Sequence, residues 1–434
     1  MPQSFSKRAL PLLVTAAALL GWSLTSAQNL DVLPEYQAEL DAIAADPRVK
    51  AALDDVLAMD PENEQRLIEL TEIEAPPFKE EKRAAHYLGM IRGLGLDAEL
   101  DGIGNVLARI PGSSGERTVA VVAHLDTVFP EGTDVTVRRD GDRLMAPGIA
   151  DDTRGLVTIL TIMELMGRHG LTTRDDILFV GSVGEEGLGD LRGVKHLFRD
   201  GGPTIDAFIA IDGTGSTRVL NHAIGSHRYR VTFIGPGGHS WGAFGLGNPA
   251  HAMARAIRLF DDRAGEYVTG GARTTYNIGR IGGGTSVNAI PFESWMEVDM
   301  RSMEPERLLE IDEIFQAAME EALAEQNGLR RDGEELTVEI DMIGNRPSGL
   351  VPVETPLIQR AFAATRAVGF EPELSMGSTD SNVAIALGIP ATTIGSGGEG
   401  FGAHSLGEWW ANRDGHLGIH RAMLLVLAEA ALEL

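Results

Sequence analysis

The chain has 434 residues, of which 43% are hydrophobic and 23% charged, which excludes intrinsic disorder, collagen-like repeats and small disulfide scaffolds. Asp and Glu number 63 against 37 Lys and Arg, and the net charge of −26 argues against nucleic acid or an anionic membrane as a partner, because its field repels phosphate. The sequence contains no cysteine, so any metal must be held by His, Asp and Glu.

The first 27 residues have the pattern of a secretory signal peptide. Lys7 and Arg8 precede an apolar run that extends to Trp22, and small residues lead to a cleavage site at Ala27. The alternative is an uncleaved membrane anchor, but the apolar run is shorter than the ~20 residues that a spanning helix needs. We therefore expect a secreted, periplasmic protein that has no membrane partner once the signal is cleaved.

The predicted elements up to residue 211 alternate between helix and strand. Apolar strands that alternate with helices are typical of an α/β fold, in which helices cover both faces of a mostly parallel sheet. The predicted helices cover residues 30–59, 61–75, 79–94, 153–167 and 191–199, and the predicted strands cover residues 106–110, 118–124, 177–183 and 207–211.

The pattern changes near residue 225 and changes back after residue 347. The intervening β-α-β-β-α order, with one further strand, predicts an α+β insertion of about 115 residues, which is the size of a small domain. After it we predict helices over 356–367 and 416–432 and a strand over 391–394. The expected organisation is a signal peptide (1–27), a catalytic domain in two parts (28–224 and 341–434) and an inserted lid or dimerisation domain (225–340).

Polar residues follow the predicted strands of the catalytic domain, where ligands bind in open α/β sheets. His124 ends one strand, and Asp126 lies two residues later on the same face, where it can hold the other ring nitrogen of a metal-bound His124. Each such residue alone has an ordinary explanation as a surface loop or a helix cap. Together they predict one metal site, for which the further candidates are one acid of the pair Asp151–Asp152, one acid of the pair Glu185–Glu186, Asp212 and His404.

Two histidines and three carboxylates suit a pair of zinc ions that share one bridging carboxylate and one water. The acid of the Glu185–Glu186 pair that is not a ligand is then free to take a proton from that water. The expected cofactor is two Zn²⁺, with Co²⁺ or Mn²⁺ as alternatives.

These residues resemble the metal-site motifs of a known enzyme family. The motifs are His124-Leu125-Asp126, Gly148-Ile149-Ala150-Asp151-Asp152, Glu185-Glu186-Gly187, Asp212 and His404. They are similar to those of the co-catalytic zinc family of aminoacylase, carboxypeptidase G (glutamate carboxypeptidase), tripeptidase (peptidase T) and acetylornithine deacetylase.

The resemblance implies a role for each residue. Asp151 is the bridging ligand, Glu186 and His404 complete one zinc site, and His124 and Asp212 complete the other. Glu185 is the general base, Asp126 orients His124, and a cis peptide bond joins Asp151 to Asp152.

The predicted lid carries its own similarity to the family. The segment 235–240 resembles the one whose histidine, here His239, reaches the active site of the other subunit and stabilises the oxyanion. Asn288 and Arg301 match residues that hold the carboxylate of the substrate, a role that suits the guanidinium fork of Arg301. A strand-end salt bridge is the alternative role for Arg301. The resemblance thus implies a homodimer formed through the lid.

The expected function is hydrolysis of an amide bond in short peptides or N-acyl amino acids that carry a free carboxylate. One alternative is a serine hydrolase, because Ser240, Asp380 and His404 follow the order of an α/β-hydrolase triad, although Gly235-Pro236-Gly237 separates the strand from the serine motif. Another is an inactive binding homologue, for which a free base at Glu185 has no use. The substrate side chain, and the choice among aminopeptidase, carboxypeptidase and deacylase, stay open at this point.

Overall fold

Residues 30–434 are described by a computed structural model, and the predicted signal peptide lies outside them. Within residues 30–434, no helix combines the length and the apolar character needed to cross a membrane. Residues 32–434 form one compact unit.

The helices of this part of the chain are α1 (Pro34–Ala45), α2 (Pro47–Ala58), α3 (Asp60–Thr71), α4 (Glu81–Gly93), α5 (Arg154–Arg168), α6 (Arg192–Leu197), α7 (Pro249–Tyr267), α8 (Pro305–Leu329), α9 (Pro356–Ala367), α10 (Ser381–Ala386) and α11 (Gly415–Glu429). The strands are β1 (Ala98–Leu100), β2 (Val106–Ile110), β3 (Thr118–His124), β4 (Arg138–Asp140), β5 (Arg143–Met145), β6 (Asp176–Ser182), β7 (Ala207–Ile211), β8 (Arg218–Ala223), β9 (Gly225–Ile234), β10 (Gly238–His239), β11 (Thr274–Gly283), β12 (Ala289–Ile290), β13 (Glu293–Ser302), β14 (Thr337–Arg346), β15 (Gly349–Leu350), β16 (Glu373–Gly377), β17 (Ala391–Ile394), β18 (Glu399–Phe401) and β19 (Trp409–Ala411).

The larger sheet has the order β1-β2-β6-β3-β7-β17-β8-β15, with β16 beside β8. Its central strands β6, β3, β7 and β17 are parallel, whereas the pairs β1–β2, β2–β6, β17–β8 and β8–β15 are antiparallel. Every residue of β3 and β7 is buried, which is typical of strands covered on both faces. The predicted α/β fold with a mostly parallel central sheet is confirmed.

A second, antiparallel sheet of order β11-β13-β9-β14 spans the predicted lid. Strand β9 alternates buried and half-buried residues over most of its length, because only one face of the sheet packs against α7 and α8. The rings of Phe260 and Phe315 meet edge to face at 5.4 Å, and Tyr229 stacks on Phe315 at 4.9 Å. The lid therefore has its own hydrophobic core, while the exact domain boundaries stay a prediction.

The long helix predicted over residues 30–59 is instead two helices, α1 and α2. Pro47 disfavours a helical conformation at the residue before it, and Asp46 has extended backbone angles of φ −59° and ψ 127°. The Asp46 carboxylate then caps α2 by accepting the backbone N–H groups of Arg48 at 2.7 Å and Val49 at 3.4 Å. The proline that breaks the helix thus also starts the next one.

Replacing Phe315 with alanine is expected to lower the free energy of unfolding by about 3–5 kcal/mol, because it removes the ring on which Phe260 and Tyr229 pack. Urea titration measures the change. Leu309→Ala on the same helix is the matched control, since Leu309 is 57% exposed and its loss should cost less than about 0.5 kcal/mol. Equal costs for both variants would show that α8 does not depend on this core.

Candidate active site

The candidate site lies at the carboxyl ends of three adjacent parallel strands. His124 ends β3, Asp212 directly follows β7, and the pair Glu185–Glu186 comes three residues after β6. Because these strands are parallel, their carboxyl ends meet at one edge of the sheet. Asp151 reaches the same place from the turn before α5, and His404 from the loop between β18 and β19.

Asp151 lies between the two histidines. Its Oδ1 is 3.0 Å from Nε2 of His124, and its Oδ2 is 3.2 Å from Nε2 of His404. Nε2 of His404 is also 2.9 Å from Oε1 of Glu186. The side chains thus form groups of three whose ligand atoms lie within 4.8 Å of one another, namely His124, Asp151 and Asp212; Asp151, Glu186 and His404; and His124, Glu185 and Glu186.

The donor atoms in these groups fit divalent metal ions. Each of the first two groups offers one imidazole nitrogen and two carboxylates, which are donor types that zinc binds. Three protein ligands leave one coordination position free, as in catalytic zinc sites. Asp151 belongs to both groups, so it can bridge two ions. The residues that the sequence predicts as ligands are brought together by the fold.

The ionisation of these groups is strongly coupled to their surroundings. Burial raises the pKa of Asp212, and the negative charge of Asp151 raises it further. Burial opposes ionisation of Asp151 as well, but hydrogen bonds with His124 and His404 lower its pKa. Hydrogen bonds with Asp151 and Glu186 raise the pKa of His404 to about 10. A metal ion that binds here must therefore displace protons from the histidines.

Asp126 is fully buried below the site and acts on more than one neighbour. Nδ1 of His124 is 3.0 Å from the backbone carbonyl of Asp126 but 3.7 Å from its carboxylate. The carboxylate instead accepts the backbone N–H groups of Glu185 at 2.9 Å and Glu186 at 2.8 Å. Asp126 therefore holds His124 mainly through its backbone, and its side chain fixes the turn that carries the two glutamates.

Glu408 is a buried residue of the site that sequence reasoning missed. Its carboxylate accepts the backbone N–H groups of Gly148 and Ala150 at 2.8 Å and of Asp151 at 3.0 Å. Burial raises its pKa to about 7, although these hydrogen bonds oppose the shift. Glu408 thus holds the turn that presents Asp151, and that turn contains the cis peptide bond between Asp151 and Asp152.

Arg346, at the end of β14, is the second residue that sequence reasoning missed. Its Nη1 donates to Oε1 of Glu185 at 3.0 Å and to Oγ of Ser378 at 3.1 Å, and its Nη2 donates to the backbone carbonyl of Glu185. Burial raises the pKa of Glu185 well above its usual value, and the charge of Arg346 opposes that shift. Arg346 lies beyond the predicted lid (225–340), and no sequence pattern singled it out for this contact.

The lid residues that are predicted to act on the substrate lie in two separate places. Arg301 lines a pocket of about 380 Å³ together with four of the five candidate metal ligands, Asp151, Glu186, Asp212 and His404. Its Nε also donates to Oδ2 of Asp299 at 2.8 Å. His239 and Asn288 are not in the lining of this pocket and are exposed on the lid, where the backbone N–H of Ser240 donates to the carbonyl of Asn288. The chain thus brings Arg301, but neither His239 nor Asn288, to its own pocket.

The three residues of the serine alternative are not assembled. Asp380 accepts a hydrogen bond from Oγ of Ser182 at 2.5 Å, and His404 contacts Asp151 and Glu186. Within residues 30–434, neither Asp380 nor His404 hydrogen-bonds Ser240.

Glu408→Gln is expected to weaken metal binding by about 10–100-fold, because the amide leaves the turn that presents Asp151 with fewer acceptors for its backbone N–H groups. Competition with a chromophoric zinc chelator measures the affinity. The control is Glu399→Gln on β18 at the start of the His404 loop, where the exposed carboxylate contacts Arg413. An unchanged affinity in Glu408→Gln would contradict the role assigned to Glu408.

The chain is similar in sequence to a described peptidase family and to individual proteins. The sequence profile of the family described as Peptidase family M20/M25/M40 matches residues 120–429. The uncharacterised protein YqjE of Bacillus subtilis (strain 168) is 27% identical over 361 residues, which cover 78% of this chain and 91% of that protein. Carboxypeptidase G2 of Pseudomonas sp. (strain RS-16) is 26% identical over 314 residues, which cover 69% of this chain and 71% of that enzyme.

The fold is shared with solved structures. The crystal structure of a tripeptidase (SAV1512) from Staphylococcus aureus subsp. aureus Mu50 matches with a TM-score of 0.67 at 21% identity. The match covers 85% of this chain and 98% of that one.

Proposed function

Because the chain belongs to peptidase family M20/M25/M40, and is therefore a metal-dependent hydrolase of C–N bonds, we propose that it cleaves short peptides or N-acyl amino acids that carry a free carboxylate. The contacts of Asp151 with both His124 and His404 carry the proposal, since they join two sets of ligands around one shared carboxylate. We further propose that the metal is zinc, two ions per subunit, and that the protein works in a periplasm after loss of residues 1–27.

The chain's own residues supply binding, orientation and proton transfer. Two ions held by the groups around Asp151 would supply polarisation of the scissile carbonyl and a lowered pKa of the attacking water. An oxygen of Glu185 accepts the proton of that water and then donates it to the nitrogen of the leaving amine. The backbone N–H groups of Glu185 and Glu186, held by Asp126, fix the position of both glutamates. Arg301 binds the free carboxylate of the substrate.

A second copy of the chain completes this site. His239 and Asn288 are exposed on the lid, and the large apolar side chains of Trp241 and Val287 beside them are almost fully exposed. Exposed apolar groups of this size around polar residues are typical of a protein interface. We therefore propose a homodimer in which His239 of one subunit stabilises the oxyanion that develops in the site of the other.

Treatment with a chelator is expected to abolish hydrolysis of dipeptides and N-acyl amino acids, and zinc is expected to restore it. Glu185→Gln should lower kcat by about 10²–10⁴-fold with little loss of bound zinc, because it removes the proton acceptor but no assigned ligand. Glu131→Gln, an exposed carboxylate that pairs with Lys79, is the matched control. Full activity of a metal-free protein that Ser240→Ala abolishes would support the serine mechanism instead.

Mixing two inactive variants tests the action of His239 across the dimer. Glu185→Gln and His239→Ala are each expected to be nearly inactive as pure dimers. A heterodimer has one site with both Glu185 and the His239 of its neighbour, so unfolding and refolding the two variants together should restore roughly a quarter of the wild-type activity. Refolding each variant alone is the control. No recovery in the mixture, with heterodimers shown by mass spectrometry, would contradict the action of His239 across the dimer.

A further inference from the structure

Strand β13 of the lid carries charged residues on the face that is turned away from the lid core. They are Glu297, Asp299 and Arg301, all half-buried, whereas Val298 and Met300 between them are buried in the core. This alternation follows from the geometry of a strand, in which successive side chains point to opposite faces. Arg301 is the residue that we propose to bind the carboxylate of the substrate, so its neighbours on this face bear on the site.

Asp299 joins Arg301 to a second arginine. Its Oδ2 accepts a hydrogen bond from Nε of Arg301, and its Oδ1 accepts one from Nε of Arg228, each at 2.8 Å. Arg228 lies directly opposite Asp299 in the register of β9 and β13. The stem of Arg228 passes over Gly344 of β14, where an added Cβ would lie 3.0 Å from Cδ of Arg228. Burial opposes ionisation of Asp299, but the hydrogen bonds with Arg228 and Arg301 lower its pKa, so the carboxylate is charged at neutral pH.

Arg228 in turn reaches the catalytic domain. Its Nη1 donates to the backbone carbonyl of Gly187 at 2.7 Å. Gly187 directly follows Glu186, in the turn that also carries the predicted base Glu185. Hydrogen bonds therefore run from Arg301 through Asp299 and Arg228 to this turn.

Asp299 itself is not in the lining of the pocket that contains the general base, whereas Arg228, Arg301 and Gly187 are. Its carboxylate can therefore act on a substrate only through these neighbours. An arginine side chain has several rotatable bonds, and a carboxylate that holds two guanidinium groups restricts both of them. Because an error of about 1 Å in the placement of reacting groups can cost about 100-fold in rate, such restriction bears directly on turnover.

We propose that Asp299 is a positioning residue, which keeps the substrate carboxylate bound by Arg301 aligned with the turn that carries Glu185. This inference rests on the proposed amide hydrolysis and on the role of Arg301 in it. It adds the device that sets the distance between the group that binds the substrate and the group that moves the proton.

Glu297 provides a matched control on the same face of β13. Its carboxylate also lies between two arginines, Arg230 and Arg280, each at 2.9 Å. Both of these guanidinium groups lie over the ring of Trp295, at 4.0 and 5.5 Å from its centroid. Neither Glu297 nor either of its arginine partners lines the pocket. A substitution of Glu297 therefore disturbs the same sheet to a similar extent without reaching the site.

The first test compares Asp299→Asn with Glu297→Gln in the zinc-loaded protein, with N-acetylmethionine and alanylalanine as substrates. The amide of Asp299→Asn has one oxygen that accepts, while its NH₂ group faces the other guanidinium. We expect kcat/KM to fall about 10–100-fold, through both a higher KM and a lower kcat. Glu297→Gln should leave both constants unchanged, and Asp299→Glu should recover part of the lost activity. All rates refer to folded protein with its zinc content measured.

Arg228→Gln separates the two arms of the link. It removes the hydrogen bond to Gly187 but keeps the one between Asp299 and Arg301, so kcat should fall while KM stays unchanged. In Arg301→Gln the KM should already be raised. Adding Asp299→Asn to that variant should then lower kcat alone, because the only arm left to break is the one through Arg228.

Three results would overturn the proposal. They are a wild-type kcat/KM in Asp299→Asn, an equal loss in Glu297→Gln, and a loss in Asp299→Asn that is confined to KM or to kcat alone. Failure of the proposed function looks different, because the zinc-loaded wild type would then hydrolyse neither compound. Calorimetry with N-acetylmethionine decides in that case. Binding that Asp299→Asn weakens and Glu297→Gln does not supports the role of Asp299, and any other result, including no binding by the wild type, contradicts it.

Discussion

One carboxylate, that of Asp151, is shared by two histidines that come from distant parts of the sequence. Nε2 of His124 and Nε2 of His404 face its two oxygens at 3.0 and 3.2 Å. A bridging ligand must be placed accurately, because an error in its position affects both sets of donors at once. Glu408 provides this accurate placement. Its buried carboxylate accepts the backbone N–H groups of Gly148, Ala150 and Asp151 in the turn.

Several of the charged groups at this site are buried. Burial raises the pKa of Glu185 and of Asp212, and the nearby charges of Glu186 and of Asp151, respectively, raise these two pKa values further. Arg346 offsets part of it at Glu185. The surplus of acids over bases in the whole chain does not extend to the pocket, where guanidinium groups and carboxylates are equal in number. The site is therefore electrostatically distinct from the protein that surrounds it.

The α/β fold and the set of candidate ligands could both be predicted from the sequence, because both depend on local patterns. Apolar strands that alternate with helices place His124 and Asp212 at one sheet edge, and the structure brings Glu186 and His404 within contact of each other there. The supporting residues were missed because their contacts join distant segments. Glu408 lies 257 residues from Asp151, and Arg346 lies 161 residues from Glu185, so no pattern within a short window reveals either contact.

The lid is joined to the catalytic sheet by two strands that lie side by side. The chain enters the lid at the start of β9 and leaves it at the end of β14, where Arg346 pairs with Ser226 in the antiparallel register. Arg346 lies at the end of β14 and donates to Glu185, so it connects these strand ends to the predicted general base. Because the charge of Arg346 opposes the rise in the pKa of Glu185, any substitution that displaces the end of β14 would increase the proton affinity of the residue that handles the proton.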